Sequence, residues 1–371
     1  MQTSQLNILY VEPFYAGSHK KWIDNYKKYS QHHIKILSLP GKKWKWRMHG
    51  GAITLAKKYN QLNKKFDLIV CSDMLNLPVF RSLCNNNLYS TKIVMYFHEN
   101  QLSYPWSPLD KDLILKRDLH YHYINYTSSL VSEYNYFNSQ YHLESYIRGL
   151  KKYLKKMPDL RNQDTIEAIY NKSSSLSIGC NLKKYKTTES KNPIILWNHR
   201  WEYDKNPELF FDTLFKLKNK KIDFKLIVLG EKYQEYPKIF DIAKEKLKNE
   251  ILHFGYCNSH KEYIKWIKMT NILPVTSNQD FFGISIVEAV GYGNYPILPK
   301  RLSYPEIFNY KDNMELFYNE DEELLNMLIK TINNINKLDK KIDSLSNYIY
   351  KKYNWETISK EYDKTFELLL N

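Results

Sequence analysis

The chain has 371 residues, 43% of them hydrophobic, and a formal net charge of +15; one hydrophobic core rarely serves that length, so two domains are expected. No run approaches the length of a membrane-spanning helix, and the first nine residues carry neither a basic start nor a long apolar core, so neither a spanning segment nor a secretory signal is expected. Cys71, Cys84, Cys180 and Cys257 are scattered without a CxxC pair, which argues for reduced thiols in a cytoplasmic protein and against a disulfide framework or zinc site.

The charge is unevenly divided. Residues 1–180 hold 25 Lys and Arg against 13 Asp and Glu, a balance of +12, whereas residues 181–371 hold 30 against 27, a balance of +3. Biased codon usage would raise lysine in both halves alike. The asymmetry therefore points to a first domain that meets a polyanion, either nucleic acid or an anionic membrane.

In chain order, residues 6–11 form a strand of the buried kind, followed by a loop at 12–19 and a helix at 20–29. Only eleven glycines are present, so Gly17 with Ser18 after it marks a turn where backbone approaches a ligand at a helix N-terminus. Residues 34–39 form a second strand. The loop expected after it, Lys43-Trp44-Lys45-Trp46-Arg47, interleaves cations with indoles, as unpaired bases and phosphates require. Indoles packed on their own domain beside wet lysines fit the same string. Strands at 66–71 and 92–97 come next, and the second ends in His98-Glu99-Asn100-Gln101. Polar residues at strand C-termini mark the ligand edge of an open α/β sheet. His98 is thus the candidate to touch a transferred group or an acceptor hydroxyl, with a satisfied structural histidine as the alternative. A helix at 110–130, a strand at 131–137 and a helix with a basic tail at 151–156 complete this half; the tail is either a solvated face or a phosphate track.

Residues 181–192 are polar and read as a linker. Strands at 194–197, 224–229, 251–254, 271–275 and 296–299 then alternate with helices, which predicts a parallel doubly wound sheet. Arg200 and Lys205 leave the first of these strands, just before Asn206-Pro207, a cap followed by proline at the first helical position. Gly230-Glu231 and Gly255 leave the next two, where a base and ribose have room. The fourth exit carries Asp280, Phe282, Gly283 and Ile284, with Glu288 eight residues after Asp280, about two helical turns. Either both carboxylates share a helix face, or Asp280 is an N-cap and Glu288 a solvated residue. Two cations at one exit and two carboxylates at another suit a nucleoside-diphosphate sugar: cations for the diphosphate, carboxylates for ribose and sugar hydroxyls. An acidic-starting helix at 320–336 and an apolar-periodic one from 354 to 370 end the chain.

The Arg200/Lys205 pair with Asp280-x7-Glu288 resembles the signature of retaining GT-B glycosyltransferases of family 4, with Asp in place of the usual first Glu. The strings VEPFYAGSHKKW, KWKWRMHG, CSDMLNL, YFHENQLSYP, ILWNHRWEYDKNPE, LGE and QDFFGISIVEAV, in this order, are similar to the tRNA-queuosine mannosyltransferases within it. This resemblance implies two Rossmann-like domains facing across a cleft: 1–180 for acceptor tRNA and 193–353 for the nucleotide sugar, joined by the linker at 181–192. It also implies that a helix at 354–371 crosses back to the first domain. The implied reaction moves mannose from GDP-mannose to the cyclopentenediol of queuosine at the wobble position of a tRNA-Asp type tRNA, retaining configuration, without a metal. Arg200 and Lys205 would hold the diphosphate, Asp280 the sugar and Glu288 the ribose. Gly17, Ser18, Gly230, Glu231, Gly255, Phe282, Gly283 and Ile284 would line the donor. His98, Asn100 and Lys43 to Arg47 would face the acceptor. Two other readings stand beside it: a family 4 transferase with a lipid-linked or surface polysaccharide acceptor, and a non-catalytic nucleotide-sugar or RNA-binding protein.

Overall fold

The computed structural model describes residues 5–370 apart from 63, 86–87, 89, 107–111, 113–114, 116–118, 187–191 and 233–234. It divides into two units, Met1–Gly179 with Trp355–Asn371, and Cys180–Asn354.

In the first unit, strands β1 (Asn7–Tyr15), β2 (His33–Pro40), β3 (Leu68–Ser72), β4 (Lys92–Phe97), β5 (Tyr134–Phe137) and β6 (Ser173–Ser175) make one sheet in the order β2-β1-β3-β4-β5-β6. Every pairing is parallel. Both faces are covered, which is why Ile8 to Val11 and Ile93 to Phe97 are unbroken apolar runs, buried throughout. The covering helices are α1 (Gly17–Tyr29), α2 (Trp44–Asn60), α3 (Leu77–Leu83), α4 (Leu119–Val131), α5 (Gln140–Lys155) and α6 (Asp164–Asn171). The chain builds outward from β1 to β2, then returns to the other side of β1 to lay down β3. Strand order therefore reverses between β1 and β3, where a doubly wound sheet opens a ligand crevice at its C-terminal edge.

The last helix of the chain, α14 (Trp355–Leu370, after α7–α13 below), belongs to this unit. Asp363 pins it: its carboxylate accepts from the Tyr26 hydroxyl at 2.9 Å, the Ser30 hydroxyl at 2.6 Å and the Gln31 N–H at 2.9 Å. The indole of Trp22 donates to the Tyr362 hydroxyl at 3.1 Å.

In the second unit, β7 (Ile194–Trp197), β8 (Lys225–Val228), β9 (Ile251–Phe254), β10 (Ile272–Pro274), β11 (Tyr295–Pro299) and β12 (Phe317–Tyr318) pair in the order β12-β11-β10-β7-β8-β9, again all parallel. Its helices are α7 (Pro207–Asn219), α8 (Ile239–Lys246), α9 (His260–Met269), α10 (Ile284–Gly291), α11 (Tyr304–Ile307), α12 (Asp321–Asn334) and α13 (Asp339–Tyr353). Here the reversal lies between β7 and β10.

Several elements differ from the sequence reading. β1 continues through Glu12 to Tyr15, and α1 begins at Gly17 rather than at residue 20. The loop expected at 43–47 is the first turn of α2, entered from Lys43 in the left-handed conformation at φ 55°. α4 runs on to Val131, so β5 starts only at Tyr134; the expected start of α4, at 110–111, lies outside the described residues, as do linker residues 187–191. The basic tail at 151–156 ends an amphipathic helix whose Leu150, Tyr153 and Leu154 are buried and whose Lys151, Lys152, Lys155 and Lys156 face solvent. Helices α6 and α13 were not expected. Among the described residues no helix is long and apolar enough to cross a membrane, and the four cysteines are free and buried.

Candidate active site

The exits of β7 and β10, the two strands flanking the reversal in the second unit, are fastened together. Asn206 leaves β7's loop in the left-handed conformation and its side chain caps the Leu209 N–H at 3.3 Å, with Pro207 opening α7 as the sequence suggests. The Asn278 N–H donates to Asp204 O at 2.8 Å, and the Thr276 hydroxyl to Lys205 O at 2.9 Å. Between these ties sits Lys205, only 7% exposed. Its ammonium donates to Gln279 O at 2.5 Å and Asp280 Oδ1 at 3.0 Å, and Asp204 Oδ2 lies 3.1 Å away. Burial works against the charge on Lys205, but Asp280 and Asp204 outweigh it and hold its pKa above the ordinary value. Burial likewise pushes Asp280 up. The Lys205 charge, His199 and a 2.5 Å hydrogen bond from the Tyr304 hydroxyl to Oδ2 outweigh that, so its pKa ends below the usual carboxylate range.

Arg200 stands apart from this buried knot. Its side chain is 45% exposed and pairs with Glu202 at 3.0 Å. Its turn is set by Gly230 at the exit of β8, which adopts φ +117°; a Cβ there would stand 1.9 Å from His199 O. Glu231 contributes through its backbone, whose carbonyl accepts the Trp201 N–H at 3.0 Å. Gly230→Ala is expected to destabilise the protein by at least about 1–3 kcal/mol, because left-handed strain and a backbone clash add. Denaturant unfolding measures it, and an unchanged midpoint would contradict the close approach. Gly255, at φ +140° on the exit of β9, has nothing within 4 Å of its Cβ direction, so the edge is open there.

Asp280 is not an N-cap, and the two carboxylates do not share one helix. α10 begins at Ile284, and Gly283 fills the N-cap position at φ +80°, so Asp280 lies in the turn before it. Glu288 lies on the helix's half-buried side, 3.9 Å from His260 Nε2, and its charge adds to burial in raising the Tyr263 hydroxyl's pKa. The Phe282 ring is a core side chain, edge-on to Tyr353 at 5.4 Å, whereas Ile284 is half-buried. Asn198 ties β7 to the first turn of α10 through a 2.7 Å bond to Ser285 O. Asp204, Tyr304 and His199 were missed by the sequence reading. His199 is buried, and burial lowers its pKa to about 4.

The reversal in the first unit has its own charged group. Glu12, fully buried, accepts from the Phe14 N–H at 2.8 Å and the Ser72 hydroxyl at 3.0 Å through Oε1, and faces His19 Nδ1 at 3.0 Å through Oε2. Burial opposes protonation of His19, but Glu12 more than offsets it and raises the pKa to about 9. The His98 ring lies tilted against His19 with ring centroids 4.2 Å apart, and its Nε2 meets the Tyr10 hydroxyl at 3.0 Å. Burial, then the His19 charge, keeps His98 neutral. Its backbone N–H donates to Asp73 Oδ1 at 2.9 Å; burial raises the pKa of that carboxyl despite His19. Glu12, His19 and His98 offer ligand atoms within 4.8 Å of one another. The hydrogen bonds above already occupy the facing atoms, so the trio reads as an ion pair beside a neutral ring rather than a metal set.

These shifts carry a sign. His19, at about 9 against an ordinary 6.5, and Asp73, raised from 3.8, both hold more protons folded than unfolded. Stability must then fall as pH rises. The His19 contribution is complete below about 6.5 and gone above about 9. Melting temperature is expected to drop between these limits, and the drop should flatten in Asp73→Asn.

The expected acceptor residues divide. Trp46 is 64% exposed and Lys43 is also exposed. Trp44 packs on Tyr121 at 5.2 Å and Trp106 at 6.5 Å, Lys45 pairs with Asp112 at 2.6 Å, and Arg47 Nε donates to Pro40 O. Asn100 is fully buried and uses Oδ1 to hold Ser103. Gly17 and Ser18 are exposed at the start of α1.

Residues 7–180 match the family described as tRNA-queuosine alpha-mannosyltransferase N-terminal, and residues 181–352 match glycosyl transferases group 1. The tRNA-queuosine alpha-mannosyltransferase of Drosophila melanogaster is 32% identical over 372 residues, covering 97% of this chain and 94% of that protein. Among solved structures, the sucrose-phosphate synthase of Thermosynechococcus elongatus superposes with a TM-score of 0.72 at 13% identity, covering 98% of this chain and 99% of that one. Anabaena HepE in complex with UDP gives 0.68 at 14% identity, covering 98% and 100%. Two parallel, doubly wound sheets of the GT-B kind, matched end to end by that curated relative, place the chain in the tRNA-queuosine alpha-mannosyltransferase family of glycosyltransferases.

Proposed function

We propose that the protein is a cytoplasmic enzyme that transfers mannose from GDP-mannose to the cyclopentenediol of queuosine at the wobble position of tRNA-Asp, with retention of configuration. The observation that supports this most is the meeting of two cation- and carboxylate-bearing strand exits at the reversal of the second unit, where α/β sheets bind nucleotides. The name of the Drosophila relative supports the acceptor, and the +12 balance of residues 1–180 suits a tRNA.

In this reading Arg200 binds the donor diphosphate directly and Lys205 adds positive charge from behind, orienting Asp280 for hydroxyls of the sugar. Glu288 takes the ribose. Gly255 and the backbone of Gly230-Glu231, Gly283 and Ile284 leave room for the nucleotide, and Gly17 and Ser18 approach its phosphates. His98, Trp46 and Lys43 serve the acceptor. The acceptor oxygen bonds to the anomeric carbon on the face from which the diphosphate departs. The C1–O bond to phosphate breaks, and the leaving phosphate oxygen takes the acceptor's proton. Charge on that oxygen is met by Arg200 and Lys205, so the protein's own cations do the neutralising and no divalent ion is required.

Incubation with radiolabelled GDP-mannose and tRNA, with and without queuosine, tests the proposal. Label is expected only in queuosine-bearing tRNA-Asp. Equal labelling of tRNA lacking queuosine, label in a lipid extract, or transfer from UDP-galactose alone would overturn it.

A further inference from the structure

Tyr304 and Tyr318 are neighbouring core tyrosines of the second unit, and they spend their hydroxyls differently. Tyr318, fully buried, donates to a backbone carbonyl, Val275 O, at 2.7 Å. Tyr304, also fully buried, donates instead to a charged side chain, Asp280 Oδ2, at 2.5 Å. Burial, and then the charge of Asp280, raise the Tyr304 pKa well above its ordinary value, so the hydroxyl keeps its proton and serves as donor.

The surroundings aim it there. Gly283 leaves the space that the ring crosses, since a Cβ at that position would meet Tyr304 Cε1 at 3.0 Å. The Ser303 hydroxyl fastens the start of α11 to the same turn through Phe282 O at 3.1 Å. Arg301 donates to Ser277 O and Thr276 O, both at 3.1 Å, and Asp204 O accepts the Asn278 N–H at 2.8 Å. The backbone that leads to Asp280 is therefore tied from two directions.

The Asp280 side chain remains 17% exposed. Its Oδ1 takes the Lys205 ammonium at 3.0 Å and its Oδ2 the Tyr304 hydroxyl. An ammonium is a point charge and by itself leaves a carboxylate free to turn. A hydroxyl on a locked ring, bonded to the second oxygen, fixes the plane. An ionised carboxylate offers about four lone-pair sites, so each oxygen can accept one more donor. Two adjacent hydroxyls of a sugar ring, one to each oxygen, match that fixed plane.

We propose that Tyr304 is a positioning residue: with Lys205 it fixes the carboxylate plane of Asp280, so that both oxygens accept from neighbouring hydroxyls of the hexose, and it thereby sets which hexose is taken. This rests on the preceding reading for the placement of a sugar at Asp280, and it names the residue that makes the contact selective.

The test is calorimetric binding of GDP-mannose, the series of its monodeoxy analogues, and GDP to the full chain and to Tyr304→Phe. In the parent, loss of a hydroxyl that Asp280 accepts should weaken binding about tenfold or more, as expected when a charged group loses its donor. In Tyr304→Phe the same analogue should lose roughly threefold or less, because a carboxylate free to turn discriminates poorly. GDP, which has no sugar, should bind both proteins alike. A tyrosine that only supported the fold would shift all ligands together. Unchanged ratios between GDP-mannose and every analogue would therefore overturn the proposal. If Tyr304→Phe does not fold, Ser303→Ala carries the same comparison: it cuts the tie of α11 to Phe282 O, keeps the ring, and should relax the ratio by less. A parent that prefers UDP-hexoses overturns the preceding reading, and the deoxy series of the preferred hexose then decides the role of Tyr304. A parent whose binding depends on no sugar hydroxyl overturns this proposal whatever the nucleotide.

Discussion

Lys205→Met is expected to lower unfolding free energy by about 3–5 kcal/mol, since removing one partner of a buried ion pair leaves the other uncompensated. Here it strands two carboxylates. Asp204 and Asp280 both contact the Lys205 ammonium; Asp204 is buried and Asp280 half-buried. A methionine fills much the same volume, so a cavity contributes little and the charge effect is isolated. The pH dependence distinguishes this cause from a packing defect. With Lys205 present, the depressed pKa of Asp280 gives stability that is complete above the ordinary value of 3.8 and lost as pH falls through the lower folded value. Without Lys205, burial dominates and the carboxyl prefers its proton. The deficit of the mutant should therefore be largest near neutrality and shrink as pH is lowered towards about 4. Asp204→Asn in the same chain should recover part of the loss. Chemical denaturation at several pH values measures all of this, and a mutant within about 1 kcal/mol of the parent at pH 7 would mean that the ammonium is not the counter-charge of this knot.

Much of this architecture was legible because parallel strands announce themselves as short apolar runs between helical periods. β4, β7 and β9 fall where the sequence puts them, and so does the Asn206-Pro207 start of α7. The first turns of α2 were illegible for a physical reason. Gly50 and Gly51 each cost about 1 kcal/mol in a helix, and Lys43 offers no side-chain cap. Tertiary burial of Met48, Ala52, Leu55, Ala56 and Tyr59 overrides that preference, and Gly51 lets the helix approach Pro13, which a Cβ would meet at 3.1 Å. The titratable residues of the candidate site in the second unit could be named from their strand exits, but their pairing could not. Lys205 and Asp280 are 75 positions apart, and only the order of β7 and β10 in the sheet brings them to 3.0 Å. Glu12 was read as the start of a loop because a carboxylate in a strand looks unaffordable until its partners, Ser72 and His19, are seen to arrive from other elements.

Arg200→Ala is expected to do the opposite of Lys205→Met: little to the fold and much to the rate. Its side chain is nearly half exposed and pairs with Glu202. Exposed pairs of this kind contribute about 0–1 kcal/mol, so the melting curve should barely move. Transfer should nonetheless fall by about 10²–10³-fold, the usual effect of deleting one preorganised donor aimed at developing charge. Lysine should not rescue it, since a single ammonium cannot present the forked donors of a guanidinium to two phosphate oxygens. The division between kinetic constants carries the mechanistic content. If Arg200 meets charge that develops on the leaving phosphate, kcat falls with kcat/KM; if it only binds the ground-state diphosphate, KM rises and kcat survives. The second outcome would leave Arg200 as a donor ligand and shift the stabilising role to the buried Lys205. Near-normal turnover with an intact fold would remove Arg200 from the donor site altogether. The contrast between the two cations follows from one difference in placement: Lys205 is buried between carboxylates that need its charge, whereas Arg200 is nearly half exposed at the edge of the sheet, where a phosphate can replace Glu202.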